Sequence, residues 1–184
     1  MHIINRTTLI AAAIGLAVTS CSPTPENPAS QIDRDQTITT TVDHVIDGDT
    51  VAVETVDPLP ITDPEENTTS VRLLGIQAPE MNYRSSASPE CGAQQATDTL
   101  DELLNPGTEI TVSFDERSNT RDHYGRVLGY VETLDGQDAA TSVLDAGWAQ
   151  AWHPDWGPEP QRYSDYVLHA DGATQNDHGL SQDC

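Results

Sequence analysis

The stretch that most constrains this chain is Val71–Glu80, VRLLGIQAPE. It begins as an apolar run carrying one arginine, Arg72, and Pro79 then removes the N–H that a continuing strand would need. An apolar run this short, bounded by a turn signal, predicts an interior strand over Val71–Ile76. An arginine fixed in that strand and a carboxylate, Glu80, on the turn just after it are the parts needed to grip a phosphodiester and position a water.

The segments around it predict the rest of the fold. Thr37–Asp47 alternates β-branched residues and reads as a strand, Asp47-Gly48-Asp49 as a tight hairpin turn, and Thr50–Val56 as the returning strand. Asp57–Ser70 carries Pro58, Pro60, Pro64 and the acids Asp63, Glu65 and Glu66, and is expected to be a solvated loop or insertion rather than a calcium site. Ser88–Asn105 repeats Ala93, Ala96, Leu100, Leu103 and Leu104 at helical spacing and stops at Asn105-Pro106-Gly107. Further strands are expected over Glu109–Phe114 and Arg126–Leu134, and further helices over Ala139–Ala146 and Gln161–Ala173. Five strands with a helix between the third and fourth fit a small Greek-key barrel of the OB type, mainly β within the α+β class, although the order alone permits other α+β folds.

The first 20 residues predict a targeting segment. Arg6 supplies a positive start, Thr7–Thr19 is an apolar run too short to span a bilayer, and small residues precede Cys21, as in a lipoprotein signal with lipidation of that cysteine. Residues 21–36 hold Pro23, Pro25 and Pro28 and read as a tether, leaving 37–184 as one folded domain, expected to be a monomer. An exported, lipid-anchored or secreted protein is the expectation. Thirty Asp and Glu oppose eight basic residues, all arginine, for a net charge of −22. That balance excludes a general coat for nucleic acid, which needs a basic footprint. It fits a surface kept soluble in concentrated salt, and so a halophile, since screening removes self-repulsion there.

Three spaced motifs occur in order: VIDGDT at Val45–Thr50, RLLGIQAPE at Arg72–Glu80 and DHYGR at Asp122–Arg126. Each is weak alone, but the ordered set resembles the staphylococcal nuclease (thermonuclease) family over roughly Thr37 to the C-terminus. The resemblance implies an OB barrel with about three helices and a Ca²⁺-dependent nuclease that hydrolyses DNA and RNA with low sequence specificity. Carried over by position, it implies that Asp49 ligates Ca²⁺ and Asp47 supports that site through water. Arg72 would clamp the phosphate, Glu80 would activate the water, Arg126 would stabilise the developing charge, and Tyr124 would contact a neighbouring phosphate or nucleotide. Arginine suits the clamp positions because its planar fork meets phosphate oxygens at two points.

This chain departs from the family pattern at Gln77, where a second aspartate ligand is usual, and at Ala78, where threonine is usual. The Gln77 amide oxygen and the Ala78 backbone carbonyl can still ligate, with one negative charge fewer, so weaker metal affinity is expected. The same departure favours a rival reading, an OB barrel that holds nucleic acid without cutting it. His123 stands where a basic residue is usual, which weakens another phosphate contact. With Cys21 lipidated, Cys91 at the opening of the first helix and Cys184 at the chain end are expected to form one disulfide. Trp148, Trp152 and Trp156 suggest a base-stacking platform, but packing under the last helix is the expectation for at least two of them. The histidines show no compact metal-ligand spacing and are read as structural or surface residues.

Overall fold

The computed structural model describes residues 32–83, 86–175 and 179–184. The expected targeting segment and Cys21 lie outside the described residues. Five strands close into a barrel: β1 (Ile38–Asp47), β2 (Thr50–Glu54), β3 (Thr68–Leu73), β5 (Glu109–Ser113) and β6 (Val127–Thr133). Two short strands, β4 (Ile76–Gln77) and β7 (Gln150–Ala151), form a separate antiparallel pair. The helices are α1 (Ala93–Leu103), α2 (Ala139–Asp145), α3 (Tyr163–Gln175) and the single turn α4 (Leu180–Asp183). The expected OB-type barrel is therefore present. Among the described residues no helix is long and apolar enough to cross a membrane.

Around the barrel the strand order is β1-β2-β3-β6-β5, and β5 returns to pair with β1. All pairs are antiparallel except β3 with β6. The barrel interior takes alternate residues of each strand, among them Val42, Val51, Val53, Val71, Leu73, Ile110, Val112, Val127 and Val131, all buried. Helix α1 lays Ala93, Ala96 and Leu100 on this core. Its small face has a purpose, because a Cβ on Gly48 would lie 2.4 Å from the Ala96 Cβ and 2.8 Å from the Ala78 Cβ. The β1–β2 turn can press against α1 and the turn after β4 only with glycine there.

Boundaries differ from expectation for physical reasons. Strand β3 starts earlier, at Thr68, because Thr68 and Thr69 are buried against β2. It ends at Leu73, since Gly75 turns with φ +92° and starts β4 afresh. Helix α1 starts later than Ser88. Pro89 disfavours helical backbone at Ser88, the Glu90 N–H donates to the Glu80 carbonyl, and Gly92 adopts φ +85°. Cys91 thus precedes the helix rather than opening it, and it is bonded to Cys184 with Cα atoms 5.7 Å apart. Helix α3 is tied to the barrel through Asp138. That side chain caps α2 by accepting from the Ala140 and Thr141 N–H groups, and it also accepts from Arg162 and from the Tyr166 hydroxyl.

Candidate active site

Strand register brings the three motifs together. In the β2–β3 ladder Thr50 faces Arg72, and in the parallel β3–β6 ladder Arg72 faces Leu128. Asp49 precedes Thr50, and Arg126 lies just before β6, so both end up beside Arg72. The Leu73 N–H donates to the Asp49 carbonyl at 2.8 Å, which fixes the turn over the end of β3.

Asp49 is buried, 3% exposed. Its Oδ1 accepts from Arg72 Nε at 2.9 Å and from the Thr50 hydroxyl at 3.1 Å, while its Oδ2 accepts from the Ala78 N–H at 2.8 Å. Asp47 Oδ1 accepts from the Asp49 N–H at 3.1 Å and so lies next to it. Burial pushes the Asp49 carboxyl up to about 7 against the pull of Arg72, and the neighbouring Asp47 charge adds to the rise. Burial outweighs the guanidinium held against this carboxyl.

Arg72 is also buried and is held by its own strand end. Nη1 donates to the Leu73 carbonyl at 2.6 Å, and Nη2 donates to the Ile76 carbonyl at 2.9 Å and to Gln77 Oε1 at 2.8 Å. With Nε on Asp49, four of the five guanidinium N–H groups are engaged among the described residues. Glu80 is exposed, and its backbone is pinned by Glu90: the Glu80 N–H donates to Glu90 Oε2 at 3.0 Å and the Glu80 carbonyl accepts from the Glu90 N–H at 2.9 Å. Gln77 Nε2 donates to the Ala78 carbonyl at 3.0 Å and to Glu80 Oε1 at 3.3 Å.

The D-x-Y-G-R segment folds as a turn closed by Asp122. Its Oδ1 accepts from the Tyr124 and Arg126 N–H groups, both at 2.9 Å, and its Oδ2 accepts from Arg126 Nε at 2.7 Å. Gly125 has φ +88°, which lets the chain reverse there. Arg126 Nη1 donates to the Thr50 hydroxyl at 3.3 Å, so Thr50 links Arg126 to Asp49. The Arg126 guanidinium sits 5.5 Å from the Tyr124 ring centre.

A cleft of about 930 Å³ runs over this face. Arg72, Gln77, Glu80, Tyr124 and Arg126 line it together with Arg121 and His123, and the segment Trp152–Trp156 forms part of its wall. The β4–β7 pair carries that wall into place, and the Trp152 N–H donates to the Gly75 carbonyl at 2.8 Å. Asp47, Asp49 and Ala78 do not line the cleft; they sit behind Arg72. Of the tryptophans, only Trp148 packs on the core, while Trp152 is 47% and Trp156 85% exposed. The expectation that at least two would pack under the last helix is corrected accordingly, because β7 is too short to carry the chain past the cleft before Trp152.

Over residues 70–182, more than half of its length, the chain matches the family described as staphylococcal nuclease homologue. The chain belongs to that family. It is 30% identical over 115 residues to endonuclease YhcR of Bacillus subtilis (strain 168), covering 60% of this chain and 9% of that protein. It is 33% identical over 110 residues to the SPbeta prophage-derived endonuclease YokF of the same organism, covering 60% of this chain and 33% of the relative. Endonuclease YncB, also from B. subtilis, is 33% identical over 113 residues, 61% of this chain and 47% of its own length. The matched region therefore spans less than half of each of these curated relatives. The nuclease-homologue match begins at Ser70, so Asp47 and Asp49 lie before it and join the site through the β2–β3 ladder.

Two roles were not assigned from the sequence of this staphylococcal nuclease homologue: Asp122 as the anchor of Arg126, and Thr50 as the bridge to Asp49. The spacing of Asp122 four residues before Arg126, around a glycine turn, was the available signal for the first. No local pattern announces the second, which depends on barrel closure.

Proposed function

We propose that the protein is a divalent-cation-dependent nuclease, with Ca²⁺ as the cation, hydrolysing phosphodiester bonds of DNA and RNA with low sequence preference. The observation that carries the reading is the meeting of Arg72, Glu80 and Arg126 in a single cleft, with Arg72 bonded to the buried Asp49. The endonuclease names of the relatives support it. The donor set fits a hard divalent cation: it is all oxygen, with the Asp47 and Asp49 carboxyls side by side in one turn. Asp49 and Ala78 through its carbonyl would hold the cation, with Asp47 acting through water. Gln77 stands apart, because its amide oxygen is already turned to Arg72. When bound, the cation would neutralise charge on the phosphate.

The chain's own groups divide the remaining work. Arg72, rigidly held, presents its one remaining N–H to a phosphate oxygen, so it grips at a single point rather than as a two-point fork. Arg126 keeps three N–H groups beyond its bonds to Asp122 and Thr50, and it can follow charge as it builds on the leaving oxygen. Glu80 keeps Oε2 to take a proton from the attacking water. Exposed Tyr124, Trp152 and Trp156 offer flat faces on which unpaired bases stack irrespective of identity, which suits low sequence preference. The acidic, lysine-free surface supports work in concentrated salt, and the apolar stretch before Cys21 supports export with a lipid anchor.

A second reading is favoured by Gln77 in place of an aspartate and by the enclosure of Asp49: the barrel holds a strand without cutting it. Digestion of labelled single-stranded DNA and RNA in molar KCl, with Ca²⁺ or with chelator, separates the two. Cleavage that needs Ca²⁺ is expected; strand binding without cleavage at any cation level would favour the second reading.

A further inference from the structure

We infer that Gln77 is a positioning residue: its amide ties Arg72 to Glu80 and sets the phosphate-gripping group and the water-activating group relative to each other, instead of ligating the cation. The inference rests on the nuclease reading and assigns a residue within that site.

The amide sits between two groups of opposite demand. Arg72 Nη2 can only donate, and it meets Oε1 at 2.8 Å. The Ala78 carbonyl and the Glu80 carboxylate can only accept, and they meet Nε2 at 3.0 and 3.3 Å. Turning the amide over would set N–H against N–H on one side and oxygen against oxygen on the other, so its partners dictate one orientation. An aspartate or glutamate could keep the bond to Arg72 but would face Glu80 with like charge. Only a side chain with an acceptor on one branch and a donor on the other fits both neighbours.

The surroundings make this link the one adjustable joint of the site. Arg72 is locked by Asp49, Leu73 and Ile76, and the Glu80 backbone is locked by Glu90. The Glu80 carboxylate is the exposed end of this chain of contacts, and Gln77 Nε2 supplies its hydrogen bond to the buried arginine's side of the site. Oε1 faces the positive Arg72 guanidinium, which would repel a cation brought to the same oxygen, so ligation would need the amide to swing away from Arg72 and carry Nε2 away from Glu80. Ligation and positioning are therefore exclusive uses of the same amide.

The test compares wild type with Gln77→Met and Gln77→Glu. Turnover of a single-stranded oligonucleotide is measured at saturating Ca²⁺, and Ca²⁺ binding is measured by calorimetry on the protein without substrate. Loss of alignment should lower kcat by about 10- to 100-fold in both variants while KM hardly moves. Ca²⁺ affinity of Gln77→Met should match wild type, and the deficit of Gln77→Glu should persist however much Ca²⁺ is added. Thermal midpoints confirm that each variant folds, and the glutamate variant, nearly isosteric, carries the test if the methionine variant does not. Markedly weaker Ca²⁺ binding by Gln77→Met would make Gln77 a ligand and overturn the inference. Full kcat in both variants of a cleaving enzyme would overturn it alone, whereas a wild type that never cleaves would sink the nuclease reading itself.

Discussion

Arg126 and Asp49 act through opposite features, free donors in one case and an enclosed charge in the other. Arg126 has three N–H groups to spare among the described contacts, and on the proposed reading these serve the transition state. Arg126→Ala should reduce kcat by about 10²- to 10³-fold with a smaller change in KM, read by single-turnover cleavage at saturating Ca²⁺. Asp49 should show itself in stability. Its carboxyl holds a proton up to about pH 7 in the folded chain, against an ordinary value of 3.8 once unfolded. Between those values the native state binds the extra proton, so the contribution of this group falls as pH rises through the window. Urea midpoints in chelator should therefore drop from pH 4 to 7 more steeply in wild type than in Asp49→Asn. Equal slopes would mean that Asp49 ionises as freely as a surface carboxylate.

Elements carry the site, and their legibility in the sequence was uneven. Strands β1 and β5 announced themselves through alternation, because one face of each is the barrel interior, whereas β2 and β6 were marked by the turn signals Asp47-Gly48-Asp49 and Asp135-Gly136 at their ends. Arg72, Glu80, Arg126 and Tyr124 were readable because they sit at motif positions on β3, after β4 and in the turn before β6. The two-residue pair β4–β7 was not readable, since so short a ladder leaves no period, and with it went the exposure of Trp152 and Trp156. Nor could the start of α1 be read, because a contact between Glu80 and Glu90 overrides the local pattern. The disulfide was legible by cysteine count and joins the lead-in of α1 to the C-terminal turn α4, across a sequence separation of 93. Replacing it, as in Cys91→Ala with Cys184→Ala, should cost about 4.6 kcal/mol by the loop-closure argument, measured as a fall in the denaturant midpoint. Removing it should leave the register of β3 and β6 intact, since both cysteines lie outside those strands.

Across the whole molecule, a net charge of −22 surrounds a cleft that holds Arg72, Arg121 and Arg126. A polyanion is repelled by the body of the protein and attracted only at short range. Ordinary phosphate-binding proteins lose affinity as salt rises. Here screening should remove the long-range repulsion first, and cleavage rates should climb from dilute buffer to molar KCl. A steady decline over that range, with circular dichroism showing a folded protein throughout, would refute the expectation. The parallel pairing of β3 with β6 has a consequence in time. It joins segments separated by α1 and β5, and contacts of that kind form late because loop-closure entropy must be met first. Arg72 and Arg126 are thus strangers in the nascent chain. If the chain is exported unfolded, as proposed, it carries no assembled chemistry during passage, and the nucleic acids of the cell that makes it are safe from it until the barrel shuts.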